Sequence, residues 1–244
     1  MSVIGTIINR ELKKSIDCGA VVQLSQSDME GYKGPVSYVT HHGVHKPDSV
    51  TTPLRIVTNS SLKNANCNLS PNQCMQEGPS AIASLLEVLI SFQMYEVALT
   101  YDMTKAYQSI ATGEVERNVR RIVWRWCKTD APWETYAYDV VTFGDHIAGL
   151  VLELVKGLAA ELGEGIDHEA AQQIRFKTYV DDGLGGGTRE RVDRFRGKLI
   201  NGQYDGTIAQ ILGLVGLQLK VMIASGDSDL ELLSLFGGKV LGHE

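Results

Sequence analysis

Two adjacent carboxylates, Asp181 and Asp182, follow Tyr179-Val180 and precede the glycine-rich run Gly183-Leu184-Gly185-Gly186-Gly187. Upstream, Ile174-Arg175-Phe176-Lys177-Thr178 alternates apolar and polar residues. That pattern predicts strand, tight turn, strand, with the acids at the turn. Neighbouring carboxylates repel each other, and a bound divalent cation is the usual way of offsetting the repulsion. A third acid, Asp102, ends another apolar run, Val97-Ala98-Leu99-Thr100-Tyr101. If the two strands are neighbours in one sheet, their ends bring the acids together, as two-metal phosphoryl or nucleotidyl transfer requires. For an isolated Asp-Asp-Gly an acidic surface turn is the better account, because Asp and Gly favour turns. Asp102 tilts the balance toward a site.

The elements that must position these acids follow from periodicity and punctuation. Residues 7–18 predict a helix, and 20–24 a short extended run. Between 25 and 79, Gly, Pro, Asn and Ser are frequent and periodic apolar stretches are few, which suits strands and loops. After Pro79, Ile82, Leu85, Leu86 and Leu89 recur at helical spacing, and the strand ending in Asp102 follows. Residues 104–110 predict a helical turn, 121–126 and 135–143 paired strands, and 147–162 a helix. Beyond the acidic hairpin, helices are expected over 188–199 and 207–212, and strands near 217–223 and 229–235. The expected fold is α+β, a mostly antiparallel sheet with helices packed on one face. Regions of different character meet near residues 79 and 215.

The 244 residues suffice for a sizeable core in one or two domains. A composition of 43% hydrophobic and 21% charged residues is that of a globular protein. No apolar run reaches the roughly 18 residues of a membrane span, and no basic-then-apolar leader opens the sequence. Cys18, Cys67, Cys74 and Cys127 are too scattered to imply a disulfide framework or a zinc site, so a reducing intracellular location is expected. A net charge of -6 opposes nucleic-acid binding. Local basic clusters soften the objection: Arg117, Arg120 and Arg121 with Arg125 and Lys128, and the basic residues of 189–198. His41, His42 and His45 have no Cys or acid at ligand spacing and are read as structural or exposed. The glycine run after Asp182 lacks the Gly-Lys-Ser/Thr ending of a phosphate loop.

Tyr179-Val180-Asp181-Asp182 in a hairpin, with Tyr107 five residues after Asp102, resembles the palm of reverse transcriptases. The stretch from Ser37 to Val57, containing Lys46-Pro47 and Arg55-Ile56-Val57, is similar to the fingers segment of BEL/Pao-type retrotransposon polymerases. So are Thr58-Asn59-Ser60-Ser61, Gln76-Glu77-Gly78-Pro79, Phe143-Gly144-Asp145 and Lys239-Val240-Leu241-Gly242. These motifs keep the family's order over most of the chain. The resemblance implies an RNA-directed DNA polymerase of a BEL/Pao-like LTR retrotransposon. Fingers would occupy 1–79, a palm with the catalytic hairpin 80–215, and the end of the palm with the start of a connection to a thumb 216–244. The chain would be a piece of a polyprotein whose remainder supplies thumb and RNase H. Implied partners are an RNA/DNA template-primer and dNTPs, and the implied location is cytoplasmic, within retroelement particles.

In the resemblance, Asp102, Asp181 and Asp182 hold two Mg²⁺ ions, with Mn²⁺ as a substitute. Asp102 and Asp181 are the direct ligands, Asp182 stands beside them, and the backbone oxygen of Met103 completes one shell. One ion lowers the pKa of the primer 3′-hydroxyl, and the other holds the triphosphate and the leaving pyrophosphate. Tyr107 lies under the incoming sugar and excludes a ribose 2′-hydroxyl. Lys46 and Arg55 stabilise charge on the triphosphate, Phe143 and Gly144 contact base and template, and Lys220 protonates the pyrophosphate. Each has a plainer alternative: a core Tyr107, a solvated Lys46 or Arg55, a turn glycine at Gly144, an exposed strand lysine at Lys220. The chain departs from the family at Ala148-Gly149, where Ser-Pro is usual, and at Met222, where Trp is usual. Two other functions compete. One is a decayed or domesticated noncatalytic domain that binds nucleic acid. The other is a different metal-dependent phosphotransferase such as a nucleotidyl cyclase, against which the upstream fingers motif speaks.

Overall fold

The computed structural model describes residues 3–45 and 54–227. The chain gathers into two compact units, Met1–Gly78 with Tyr107–Ala148, and Pro79–Ala106 with Gly149–Glu244. The first cut falls after Gly78, where the sequence reading set a boundary after residue 79. Residues 107–148, which sequence reading gave to the second region, belong to the first unit.

In chain order the first unit opens with α1 (Val3–Asp17), β1 (Val21–Gln23), α2 (Gln26–Gly31), β2 (Thr40–His45), β3 (Leu54–Asn59) and α3 (Pro71–Cys74). The second begins with α4 (Leu85–Phe92) and β4 (Val97–Met103). After a 3-10 turn at Ala106–Ser109, the first unit resumes with α5 (Glu114–Asn118), β5 (Arg121–Trp124) and β6 (Glu134–Tyr138). There follow α6 (Ala148–Gly163), α7 (His168–Phe176), β7 (Thr178–Tyr179), β8 (Asp182–Gly187) and α8 (Arg189–Arg196). Last come β9 (Leu199–Ile200), β10 (Gln203–Tyr204), α9 (Thr207–Gly213) and β11 (Leu219–Ala224). The strand expected near 229–235 and the Lys239-Val240-Leu241-Gly242 motif lie outside the described residues. Among the described residues no helix is long and apolar enough to cross a membrane. The fold is α+β, built on small antiparallel sheets.

The first unit holds the sheet β1-β6-β5 and the hairpin β2-β3. Leu12 of α1 is buried with Val21, Val39, Ile122, Tyr136 and Tyr138, so the helix covers the sheet. Burying an aliphatic side chain of this size is worth about 1.5–3 kcal/mol.

The second unit is organised by the antiparallel sheet β11-β4-β8-β7. Along β4, Val97, Leu99, Tyr101 and Met103 are buried, and Ala98, Thr100 and Asp102 are half-buried, the period of two expected of a strand. Gly183 of β8 lies opposite Tyr101, and a Cβ there would overlap the Tyr101 ring. A Cβ at Gly185 would overlap the side chain of Gln173 on α7. The Gln173 amide donates to the Gly186 carbonyl at 3.0 Å and accepts from the Gly186 N–H at 3.3 Å. The glycine run is thus a packing requirement, letting ring and amide lie directly on the strand backbone.

One expected strand is a helix. Residues 174–176 of the alternating run end α7, Lys177 caps it, and β7, which starts at Thr178, is only two residues long. Asp167 caps α7 by accepting from the Ala170 N–H at 3.1 Å, and Ala170, Ala171 and Ile174 are buried at helical spacing. Five alternating residues are too few to separate a period of two from one of 3.6. The helix expected from residue 80 begins at Leu85, where Ser84 accepts from the Glu87 N–H at 3.4 Å.

Candidate active site

Asp102 and Asp182 are direct partners in the β4–β8 ladder. Partners across an antiparallel pair project from the same face, so the two carboxylates stand side by side at the strand ends. Asp181 occupies the two-residue turn between β7 and β8 and ties it to β4, its carbonyl accepting from the Met103 N–H at 3.3 Å. All three acids are half-buried, and Met103 is buried. The expected order is changed in one respect: Asp182, not Asp181, lies straight across from Asp102.

Lys220 enters this group from β11. The β11–β4 register slips between Leu219 and Val221, a bulge of the kind that re-aims a side chain. The Lys220 Nζ donates to Asp102 Oδ2 at 3.3 Å. Among the described residues no three His, Cys, Asp or Glu side chains stand assembled as a metal-holding group. One or two carboxylates are nevertheless the protein donors Mg²⁺ takes when waters and substrate phosphates fill its remaining positions. The hard oxygens of Asp102, Asp181 and Asp182 fit that chemistry, not a preformed cage.

The turn itself rests on two residues that sequence reading missed. Val180 has φ of 54°, the left-handed region that a β-branched residue enters only under constraint. Its N–H donates to Glu153 Oε1 at 3.2 Å, and its carbonyl accepts from Lys156 Nζ at 2.6 Å. Lys156 also donates to Glu153 Oε1 at 2.7 Å, and the ion pair is almost wholly buried, with side chains 1% and 6% exposed. Burial pushes the Glu153 carboxyl up, opposed by the Lys156 charge and the Val180 hydrogen bond. Burial pushes the Lys156 ammonium down, opposed chiefly by Glu153 and further by Asp181. The signal was present in sequence: opposite charges three residues apart inside the apolar stretch 150–160 of a predicted helix.

The remaining site residues lie in the first unit. Tyr107 meets Phe143 edge-on with ring centroids 5.3 Å apart, and the Arg55 guanidinium stands 5.8 Å from the Phe143 ring centre. Arg55 is exposed, Phe143 is 42% exposed and Tyr107 half-buried. Three residues expected to touch the nucleotide therefore form one contiguous group. Gly144 makes its close approach to the chain itself, since a Cβ there would overlap the carbonyl and hydroxyl of Thr58. That packing accounts for the glycine without a nucleotide or template. Asp145 is buried; it pairs with Arg120 at 2.9 Å and accepts from Ser60 Oγ at 2.9 Å and the Thr142 N–H at 3.2 Å. The motifs 58–61 and 143–145 meet through these bonds. Lys46 lies outside the described residues.

The basic clusters proposed as a nucleic-acid grip are largely spent within the chain. Arg117 pairs with Asp139 at 2.7 Å, Arg120 with Asp145, and buried Arg121 donates to Asn118. Arg125 stacks over Trp133 at 4.4 Å. On α8, Arg191 and Arg194 pair with Glu169, Arg194 also with Asp167, and Arg196 with Asp227. Guanidinium charge already matched to carboxylate adds little attraction for phosphate. His41 packs against Trp124 with centroids 5.2 Å apart.

No family model matches the chain, and no curated protein matches it.

Proposed function

We propose that the chain is a reverse transcriptase domain of a BEL/Pao-like retroelement, with the first unit as fingers and the second as palm, that extends a primer on an RNA or DNA template by two-metal nucleotidyl transfer. The observation that carries this reading is the ladder register that sets Asp102 against Asp182 with Asp181 in the adjoining turn. Mg²⁺ held by these oxygens would supply activation of the primer 3′-hydroxyl and charge neutralisation at the triphosphate. Asp102, Asp181 and Asp182 present the ligand oxygens. Lys220 offsets part of their charge and is the proton donor for the pyrophosphate. Arg55 supplies cationic charge for the triphosphate, Phe143 a ring face for base or template, and Tyr107 bulk against a ribose 2′-hydroxyl.

Primer extension on poly(rA)/oligo(dT) with Mg²⁺, with Asp181→Asn as control, is the test. Extension that the substitution abolishes is expected. Tyr107→Val should raise ribonucleotide use relative to deoxynucleotide use; an unchanged ratio would leave Tyr107 as a packing residue. A second reading, a noncatalytic domain descended from such a polymerase, is favoured by the Asp102–Lys220 ion pair, which gives the acid a structural partner. It predicts a folded chain that does not extend primers under any metal.

A further inference from the structure

We propose that Glu153 and Lys156 are positioning residues that hold the turn carrying Asp181 in its working backbone conformation. The inference deepens the polymerase reading and rests on it.

The geometry is a closed ring. The Val180 N–H donates to Glu153 Oε1, Lys156 Nζ donates to the same oxygen, and Lys156 Nζ also donates to the Val180 carbonyl. Both backbone polar groups of one residue are captured by one ion pair on one helix. The central residues of a two-residue hairpin loop have no ladder partners for these groups, and a buried unpartnered amide or carbonyl is unfavourable. Val180 additionally carries the strain of φ 54° without being glycine. A turn of this type would ordinarily place Gly or Asn at such a position. With valine there, the conformation must be imposed from outside, and α6 is what imposes it. Asp181 is the next residue, so the direction in which its carboxylate leaves the chain follows from the dihedrals at Val180.

Burying an ion pair is a poor device for stability, since apolar residues of similar volume often serve as well or better. A pair placed where both of its free valences meet one strained residue is better explained by fixing that residue. Lys156 also puts a buried positive charge near Asp181. The turn is thereby kept in place by groups that do not themselves coordinate a cation.

The test uses the whole chain with two paired substitutions. Glu153→Leu with Lys156→Leu removes the clamp while leaving an apolar pair that the core accepts. Glu153→Met with Lys156→Met is the unbranched apolar version, used should the leucine pair fail to fold. Amide hydrogen exchange at Val180, Mn²⁺ binding and steady-state extension are measured on each. The clamp predicts that Val180 exchange speeds up roughly 10- to 100-fold while the Leu184 amide keeps its protection. It predicts kcat lower by about 100-fold, as a small misplacement of a reacting group gives, with the KM for dNTP within about threefold, because uniform binding is untouched. Mn²⁺ binding should weaken in parallel. Unchanged exchange at Val180 overturns the proposal. So does faster exchange with wild-type kcat and wild-type Mn²⁺ affinity, which would reduce the pair to packing. A wild-type chain without Asp181-dependent Mn²⁺ binding overturns the polymerase reading, and with it the purpose of the clamp. Wild-type Mn²⁺ binding that the variants retain overturns the clamp alone.

Discussion

Asp145 in the first unit and Asp182 in the second sit at comparable points, each near the end of a short structural motif, and they are treated in opposite ways. Asp145 is fully buried, pairs by charge with Arg120, and accepts from a serine hydroxyl and a backbone N–H. Asp182 is half-buried, at the end of a strand, with another carboxylate directly across the ladder. The first arrangement matches negative charge with donors and closes it off from water. The second sets two carboxylates across one ladder, with the Lys220 ammonium donating to Asp102, and leaves them within reach of solvent. The two acids thus differ in burial and in exposure to solvent, although both stand in short Asp-containing motifs in the sequence.

The comparison is broken most severely by Arg120→Met. Removing one member of a buried pair strands the other, so we expect a loss of roughly 3–5 kcal/mol of stability, read by urea denaturation. If the loss is under about 1 kcal/mol, Asp145 is not the closed group described here. Asp181→Asn should do the reverse, leaving the denaturation midpoint unchanged within error while lowering kcat by at least on the order of 10²–10³-fold, the scale for losing a preorganised charge contact. A midpoint that falls as far as for Arg120→Met would make Asp181 a structural acid. Mg²⁺ sharpens the contrast. At a hundred times its dissociation constant it should stabilise the protein by about 2.7 kcal/mol. Hydrogen exchange should place the added protection in β4 and β8 and none around Asp145. Gly183→Ala brings the smallest expected change, roughly 1–3 kcal/mol of overpacking against Tyr101, seen as a lower thermal midpoint. A neutral result would mean that the ring moves aside freely.

Much of the second unit was legible because its signals are local. The apolar alternation of residues 97–103 reads directly as β4, and turn chemistry marks the hairpin at Asp181-Asp182. The strand assigned to 174–178 failed because the alternation was short and because the decisive contacts, Gln173 with Gly186 and Ile174 with the core, are tertiary. That residues 107–148 gather with the first unit was hidden for a similar reason. Nothing in β6 announces that its second partner, beside β5, is β1, about a hundred residues earlier. The meeting of Asp102 and Asp182 at neighbouring strand ends was readable from residue type and spacing. Glu153 and Lys156 were not, because their target is a backbone and a backbone has no signature in side-chain identity. The basic clusters misled because charge can be counted in sequence, whereas the acids that consume it become visible only once the chain is folded.

The two-residue turn at Val180-Asp181 has a consequence for how this gene can change. Loops such as the one between β5 and β6 can gain or lose a codon with little effect, since loop closure depends only weakly on length. At 179–182 a single inserted codon would slip β8 by one position. It would send the Asp182 side chain to the face where Gly183 must yield to the Tyr101 ring. Wherever the acids are used, length here would therefore be under selection separately from residue identity. A lineage released from that selection would collect insertions and deletions in this turn at the same rate as in the β5–β6 loop. A lineage still using its acids would vary in the loop and keep the turn at two residues, whatever stands at position 180.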